Sequence, residues 1–375
     1  MPIRPSTGPT RHETCPGAPT VTVRFAAPGV LPGTDYRRAA ELLEAEVPAP
    51  HFSTVAELPA RGHHASLLGR AAAQLSELYS ELTSYGWRLV QRPGADHTRA
   101  ANLLNADVDT VADVRGERAE TLSGGTGPVS LEMLGPVSLA AQLHLPGGEK
   151  VLIDHGARRD VAQSLAEGLG DHLAHVRRAT GAEALQVVVL EPDYTRVRSG
   201  HVPTASGYHT IRSLPRDETR ALLENVVDSL RRGGAESVVL DFGHPVTDDH
   251  VEDFRGRSTA GVDGFALPVH QAEAGDWERA AELTEGGAQL LASLLRPEDV
   301  SADTAVLPEV TRLAAGLAQP WGALGMPPES LESFTVTGFG AAERSRMADL
   351  GQSGAARAVA RLLGCAEALT DQSQL

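Results

Sequence analysis

The stretch Leu185-Gln-Val-Val-Val-Leu190, followed at once by Glu191-Pro192, is the clearest fold signal in the 375-residue sequence. Five of its six residues are apolar, and they run continuously instead of alternating with polar ones. Such a run is typical of a parallel strand that helices cover on both faces. Similar runs recur along the chain and predict eight strands, over residues 21–26, 54–58, 87–90, 129–134, 185–190, 237–242, 264–269 and 334–337.

Segments of helical periodicity separate these runs and predict helices over residues 36–46, 67–83, 160–178, 217–231, 277–295, 310–317 and 341–369. Eight strands alternating with helices predict an α/β fold, namely a TIM (β/α)8 barrel. A doubly wound sheet is the alternative, but the glycine pairs form no phosphate-binding motif. We predict one barrel domain over residues 20–375, preceded by a disordered leader over residues 1–19, which hold five prolines and no apolar period.

The composition narrows the function classes. The 49 acidic residues outnumber the 33 Lys and Arg residues, giving a formal charge of −16, which argues against binding to a nucleic-acid backbone. No stretch reaches the ~18–20 consecutive apolar residues of a membrane span. The first twenty residues lack the apolar core of a signal peptide, so we expect a cytoplasmic protein. Cys15 and Cys365 are the only cysteines, which excludes a disulfide framework and a cysteine-rich zinc cluster.

The functional residues of a TIM barrel lie just after its strands, at the mouth where the carboxyl ends meet. Glu191 is the strongest candidate there, because a carboxylate that follows an apolar strand is partly desolvated unless it binds something. We predict that Glu191 is catalytic; the alternatives are capping of a neighbouring helix and pairing with Arg61. Arg61 is also predicted to be catalytic, through a guanidinium that binds a carboxylate or phosphate, although a structural salt bridge is its alternative. Glu57, four residues before it, is a predicted substrate-binding residue.

Two further groups of polar residues follow predicted strands or lie in a loop. Asp241 lies at the end of the predicted sixth strand, His244 follows that strand and His270 follows the seventh, so the three can converge as a metal-binding set. Metal-binding pairs usually have tighter spacing on one element, so we predict no metal ligands and assign His244 to catalysis and Asp241 and His270 to substrate binding. Tyr208 and His209 lie in a long loop, where polar aromatic residues often contact ligand, and are predicted to bind substrate.

Five short segments, taken in order and spacing, resemble a known family. They are Leu31-Pro-Gly-Thr-Asp35, Glu57-Leu-Pro-Ala-Arg-Gly62, Gly135-Pro-Val-Ser-Leu-Ala-Ala141, Val202-Pro-Thr-Ala-Ser-Gly207 and Leu324-Gly-Met-Pro-Pro-Glu329. Together they resemble the actinobacterial single-barrel relatives of cobalamin-independent methionine synthase, from about Val21 to the end of the chain. The resemblance implies a TIM barrel of the methionine synthase and uroporphyrinogen decarboxylase type. It also implies methyl transfer from a methylfolate to a thiol.

The positions that carry this chemistry depart from the family pattern. The family binds the substrate sulfur to zinc as thiolate, because a neutral thiol is a poor nucleophile near pH 7. The resemblance places a His-x-Cys pair where this sequence reads Leu240-Asp-Phe-Gly243, and a cysteine where it has Gly338. Three further polar positions of the family read Val30, Ser66 and Leu190. Scaffold residues are kept while site residues are lost, which indicates selection for the fold without the original reaction.

Three hypotheses about function follow. The favoured one is a repurposed small-molecule enzyme, with methyl or other one-carbon transfer as the candidate reaction, in which Glu191, Arg61 and histidines replace zinc-thiolate activation. The second is a non-catalytic binding protein or partner subunit. The third is a methionine synthase with an atypical Asp/His metal site. We expect no zinc and no certain cofactor, a methylated folate as candidate substrate, and either a protein partner or a second copy of the chain as further candidates for association.

Overall fold

A computed structural model describes residues 22–121, 126–255, 261–300 and 307–374. The predicted leader over residues 1–19 lies outside these ranges. In the described part, the main sheet has seven parallel strands: β1 (Arg24–Phe25), β4 (Val129–Leu134), β5 (Leu185–Leu190), β6 (Ser237–Asp241), β7 (Gly264–Pro268), β8 (Gln289–Ser293) and β9 (Phe334–Thr337). Their order is β1-β9-β8-β7-β6-β5-β4, so the first strand pairs with the last.

Helices connect and cover these strands. They are α1 (Tyr36–Glu46), α2 (Leu67–Ala73), α3 (Ala95–Thr121), α4 (Pro136–Gln142), α5 (His155–Thr180), α6 (Tyr194–Ser199), α7 (Arg216–Arg232), α8 (Asp248–Phe254), α9 (Ala274–Glu285), α10 (Val310–Ala323) and α11 (Gly351–Ser373). Within the described ranges, no helix has both the length and the hydropathy of a membrane span. The fold is therefore α/β, with a curled parallel sheet surrounded by helices, as in TIM-like barrels.

The segment around Phe52 and Ser53 hydrogen-bonds to both edges of the sheet. The Phe52 N–H donates to the carbonyl oxygen of Phe25 in β1, 2.8 Å away, and the Ala27 N–H donates to the Phe52 carbonyl oxygen, 2.9 Å away. On the other side, the Ser130 N–H of β4 donates to the Ser53 carbonyl oxygen, 2.8 Å away. These contacts, and a further bridge between Val30 and Glu57, are isolated bridges, so the predicted strand over residues 54–58 does not form as a regular strand.

The strand predicted over residues 87–90 is confirmed as a strand, but its place in the sheet is not, and one strand of the main sheet was not predicted. Residues 87–90 belong to β3 (Gly86–Val90), which forms an antiparallel hairpin with β2 (Tyr79–Thr83) outside the main sheet. The predicted helix over residues 67–83 accordingly ends at Ala73. Strand β8 falls inside the predicted helix over residues 277–295, because its apolar residues continue the helical period of α9. The chain leaves that helix at Gly286, and Gly287, with φ of +76°, turns it into β8.

The core has two layers. A small inner cluster, enclosed by the curled sheet, consists of Ala26, Phe52, Val188, Leu190, Val239, Ala266, Leu291 and Ala341. The larger outer cluster joins the other face of the strands to the helices and includes Cys365 of α11, which is fully buried. In β5 to β8 the apolar residues alternate between these two layers, which explains the continuous apolar runs of these strands in the sequence.

Candidate functional site

Three charged side chains meet at the carboxyl ends of the strands, in the place that we call the mouth. The Arg344 Nε donates to Glu132 Oε2 of β4, 2.7 Å away, and its Nη1 donates to Glu57 Oε2. The Arg344 Nη2 also donates to the Gly29 carbonyl oxygen, 3.3 Å away. All three side chains are largely buried, and two carboxylates face one guanidinium, so this cluster carries a net negative charge.

Gly29 lets this cluster form. Its N–H donates to Glu132 Oε1, 3.2 Å away, and a Cβ at residue 29 would lie 2.2 Å from Glu132 Oε2. Any other residue would therefore push the Glu132 carboxylate out of its position. Glu57, predicted to bind substrate, is held in the mouth by this arrangement and is paired with Arg344.

Asp241 lies beside this cluster at the end of β6. Its Oδ1 accepts the Gly243 N–H, 2.7 Å away, and its Oδ2 accepts the Ala341 N–H, 2.8 Å away. Burial raises the pKa of Asp241 to about 6, against the effect of these two donors, and the negative charge of Glu132 raises it further. The Ser293 hydroxyl is buried close by and has no hydrogen-bond partner in the described structure.

The raised pKa of Asp241 predicts a pH-dependent contribution to stability. A carboxyl whose pKa is about 6 in the folded state and 3.8 in the unfolded state stabilises the fold fully below pH 4 and progressively less as the pH rises through 6. The variant Asp241→Asn lacks this titration. We expect the difference in unfolding free energy between the wild type and this variant to decrease by at most about 3 kcal/mol from pH 4 to pH 7. Urea unfolding at several pH values measures it, and a constant difference would contradict the assignment.

Glu191 caps helix α4. Its Oε1 accepts the Val137 N–H, 2.9 Å away, and its Oε2 accepts both the N–H and the hydroxyl of Ser138, each 2.7 Å away. Gly135 leaves room for this approach, since a Cβ there would lie 2.2 Å from Glu191 Oε1. Burial raises the pKa of Glu191 to about 7, while the three donors oppose the shift. The side chain is fully buried, so the structure shows the helix-capping alternative, and a catalytic role stays a prediction.

Arg61 points away from the mouth cluster. Its Nη1 pairs with Asp107 of α3, 2.6 Å away, and its guanidinium lies over the ring of Tyr36, 5.1 Å from the ring centre. Arg70 of α2 pairs with the other oxygen of Asp107, 2.8 Å away. Arg61 thus forms the structural salt bridge that was its alternative, and no contact joins it to Glu191.

The predicted histidines and the loop residues lie at the rim. His244 donates from Nδ1 to the Pro245 carbonyl oxygen, 2.8 Å away, and lies at a pocket of about 200 Å³ between α6 and α8. The Nε2 of His270 lies 3.3 Å from Glu343 Oε2. Tyr208 and His209 are exposed in their loop, and Tyr208 is 88% exposed. The structure thus distributes these four residues over three places. Their functional roles stay predictions.

The side chains do not fit the zinc site that the family resemblance implies. A Cβ at Gly338 would face Leu295, Met347 and Leu362, at 3.5–3.7 Å, in the apolar outer layer. Cys365 is buried in the same layer, and burial raises the pKa of its thiol to about 12, so it offers no thiolate. Among the described residues, no three His, Cys, Asp or Glu side chains are grouped to hold a metal, and this includes the Asp241, His244 and His270 set.

Two residues of the mouth cluster escaped the sequence analysis. Glu132 is a single acidic residue within the strand Val129–Leu134, and this interruption of an apolar run was the available signal. Arg344 falls in the predicted helix over residues 341–369, whereas α11 begins at Gly351 and Arg344 starts a short 3-10 helix, Arg344–Leu350. In the sequence, Arg344 looks like the other arginines of a predicted surface helix, so the pattern does not indicate that its side chain enters the mouth.

Comparisons with known proteins support the fold. No protein-family model matches the chain, and no match to a curated protein was found. Among solved structures, the chain is similar to a B12-independent methionine synthase from Shewanella sp. W3-18-1, determined in complex with selenomethionine. The two share 11% identity with a TM-score of 0.54, over 94% of this chain and 98% of that chain. At this level of identity the likeness concerns the fold alone.

Proposed function

We propose that this chain is a small-molecule enzyme on a methionine-synthase-like barrel and that it does not use zinc-thiolate chemistry. In this proposal the Phe52–Ser53 segment completes the ring as its eighth member. The observation that carries the proposal is the convergence of Glu57, Glu132 and Asp241 with Arg344 at the carboxyl ends of the strands. Charged groups are costly to bury, and TIM-barrel enzymes place their reactive groups at this end.

Asp241 supplies the chemistry that this site supports best. A carboxyl with a pKa of about 6 exchanges a proton readily near neutral pH, as a general acid or base requires. Glu132 lies close enough to influence that pKa, and the buried Ser293 hydroxyl beside Asp241 has no hydrogen-bond partner among the described residues. Methyl or other one-carbon transfer is the reaction class that the fold similarity suggests for the proposal, with a methylated folate as candidate substrate.

An assay of homocysteine methylation tests the departure from zinc chemistry. We expect no methionine from methyltetrahydrofolate and homocysteine, with or without added zinc, because no described thiolate or metal-ligand set is present to activate the thiol. Elemental analysis of protein purified without chelator is the companion measurement. Turnover, or zinc in a one-to-one ratio to protein, would contradict the proposal and support a methionine synthase with an atypical metal site.

Binding of methyltetrahydrofolate tests the mouth as a ligand site. We expect binding in a fluorescence titration, weakened about tenfold by Glu132→Gln because a buried polar contact contributes about 1–3 kcal/mol. The matched control is Glu278→Gln, an exposed glutamate of α9, which should bind like the wild type. Equal affinities for both variants would place the ligand elsewhere and contradict the site.

A non-catalytic barrel is the second candidate function, because the chain's own Arg344 fills the mouth. In that case neither the wild type nor a variant without the Arg344 side chain would bind the folate. A protein partner or a second copy of the chain would then be the binding target, and the mass of the protein in solution, measured by light scattering, would distinguish these two forms of association.

A further inference from the structure

The residues that follow β9 cross the mouth instead of leaving it. Residues 340–346, which we call the mouth strap, contact the ends of several other strands. The Ala341 N–H donates to Asp241 after β6, and Glu343 Oε2 lies 3.3 Å from His270 Nε2 after β7. Arg344 then reaches the opposite side of the mouth, where its two glutamates lie. The strap therefore covers every acidic group of the proposed site.

The ion pairs of Arg344 and the hydrogen bond of the Ala341 N–H hold the strap, together with a single apolar side chain in the inner core cluster. Ala341 is its one buried apolar side chain, and Ala342 is exposed. Arg346 is about half exposed and pairs with Asp349 at 3.4 Å, outside the mouth. Immediately after the strap, the Met347 side chain is buried in the outer core layer and anchors the end of the strap. The strap is thus a short segment between two anchored ends, with glycine at its first position.

The two glutamates of the mouth need a positive charge between them, and that charge does not have to be the guanidinium of Arg344. Glu57 and Glu132 need a cation between them, because two buried carboxylates without one repel each other and are poorly solvated. Arg344 provides that cation in this structure, but any other cation of suitable size satisfies the same pair. A permanent plug does not need this ion pair, since a well-packed apolar replacement of a buried ion pair is often equally stable or more stable.

We propose that the mouth strap is a lid, and that Arg344 closes the site by occupying it. Opening requires Arg344 to leave Glu57 and Glu132, and it exposes Asp241 and the unpaired Ser293 hydroxyl beneath the strap. This inference rests on the proposed function for the identity of the site that the strap controls. The lid itself is a property of the protein alone and is measured without a substrate.

Hydrogen exchange of the full-length protein tests the opening. We expect strap peptides of the wild type to exchange faster than peptides from β9 and α11, because the lid opens locally without unfolding the core. In Arg344→Ala the strap should exchange about tenfold faster or more, while Arg346→Ala, an exposed arginine on the same strap, should leave it unchanged. Strap exchange as slow as that of β9 in the wild type would overturn the lid and show a fixed plug.

Chemical rescue tests whether a cation replaces Arg344. Ethylguanidinium, which carries the same head group, should restore part of the lost thermal stability of Arg344→Ala, whereas neutral N-ethylurea should not. If Arg344→Ala does not fold, Arg344→Lys is the alternative variant, because lysine keeps the positive charge but cannot contact both glutamates as arginine does. The strap of Arg344→Lys should exchange hydrogen faster than the strap of the wild type. An equal effect of both compounds, or an equal effect on Arg346→Ala, would contradict cation exchange at the mouth.

The two proposals fail in distinguishable ways. A strap that opens in a protein without folate binding contradicts the proposed function and leaves the lid intact. Folate binding that is lost in Glu132→Gln, together with strap exchange as slow as that of the core, contradicts the lid and leaves the function intact.

Discussion

Replacing Glu191 by alanine is expected to lower the free energy of unfolding by about 3 kcal/mol or more. The substitution removes the acceptor of two backbone N–H groups and of the Ser138 hydroxyl, all at the buried start of α4. Each buried polar group left without a partner costs about 1–3 kcal/mol. The Ser138 hydroxyl also accepts the Asp193 N–H at 3.0 Å, so its displacement would loosen the chain after β5. Urea unfolding followed by circular dichroism measures the loss.

Two further variants make the Glu191 experiment decisive. Glu183→Ala, an exposed glutamate just before β5, is the matched control and should unfold like the wild type. Glu191→Gln keeps one acceptor oxygen and should lose less stability than the alanine variant. An alanine variant as stable as Glu183→Ala would refute the capping role and restore Glu191 to the list of groups free to act on a ligand.

Replacing Asp107 by alanine is expected to lower the free energy of unfolding by about 3–5 kcal/mol. Asp107 is almost fully buried and pairs with Arg61 at 2.6 Å and with Arg70 at 2.8 Å. Removing one partner of a buried ion pair leaves the other charge uncompensated, which costs more than the pair itself contributes. The matched control is Asp109→Ala, two residues along the same helix, because that side chain is 69% exposed. Thermal and urea unfolding measure both variants.

The outcome for Asp107 bears on Arg61. If the salt bridge has a structural role, Arg61→Ala also destabilises the protein, and Arg61→Ala combined with Asp107→Ala loses less than the sum of the two. Additive losses would mean that the pair has no coupling energy and would contradict the structural assignment of Arg61.

The sequence predicted those parts of the fold that depend on local pattern. Strands 129–134, 185–190 and 334–337 have the predicted boundaries, because each is a short segment, mainly apolar or β-branched, between turn residues. Strand β8 was missed because Gln289–Ser293 is too short and too apolar to be distinguished from the end of a helix. The hairpin strand β3 was placed in the main sheet because pairing partners are not encoded in the strand itself.

The site was harder to predict for the same physical reason. Glu57 and Asp241 could be recognised because they lie near the ends of predicted strands, and barrel geometry brings such residues to one end. Their partners depend on long-range packing: Arg344 lies 287 residues from Glu57 and 212 from Glu132. The sequence around Arg344 does not indicate which distant residues it contacts. The loss of the family's cysteines, in contrast, is evident from the composition alone.

The pairing of β1 with β9 sets an order of assembly during synthesis. Residues 24 and 25 leave the ribosome more than three hundred residues before their partners Thr335 and Val336. Until then one side of β1 has only solvent for its hydrogen-bonding groups, although the contacts with Phe52 can form early. The Val23 N–H, which donates to the Thr370 hydroxyl at 2.9 Å, waits longer still. The contacts of β1 with β9 and of Val23 with α11 therefore form only after most of the described chain has been made.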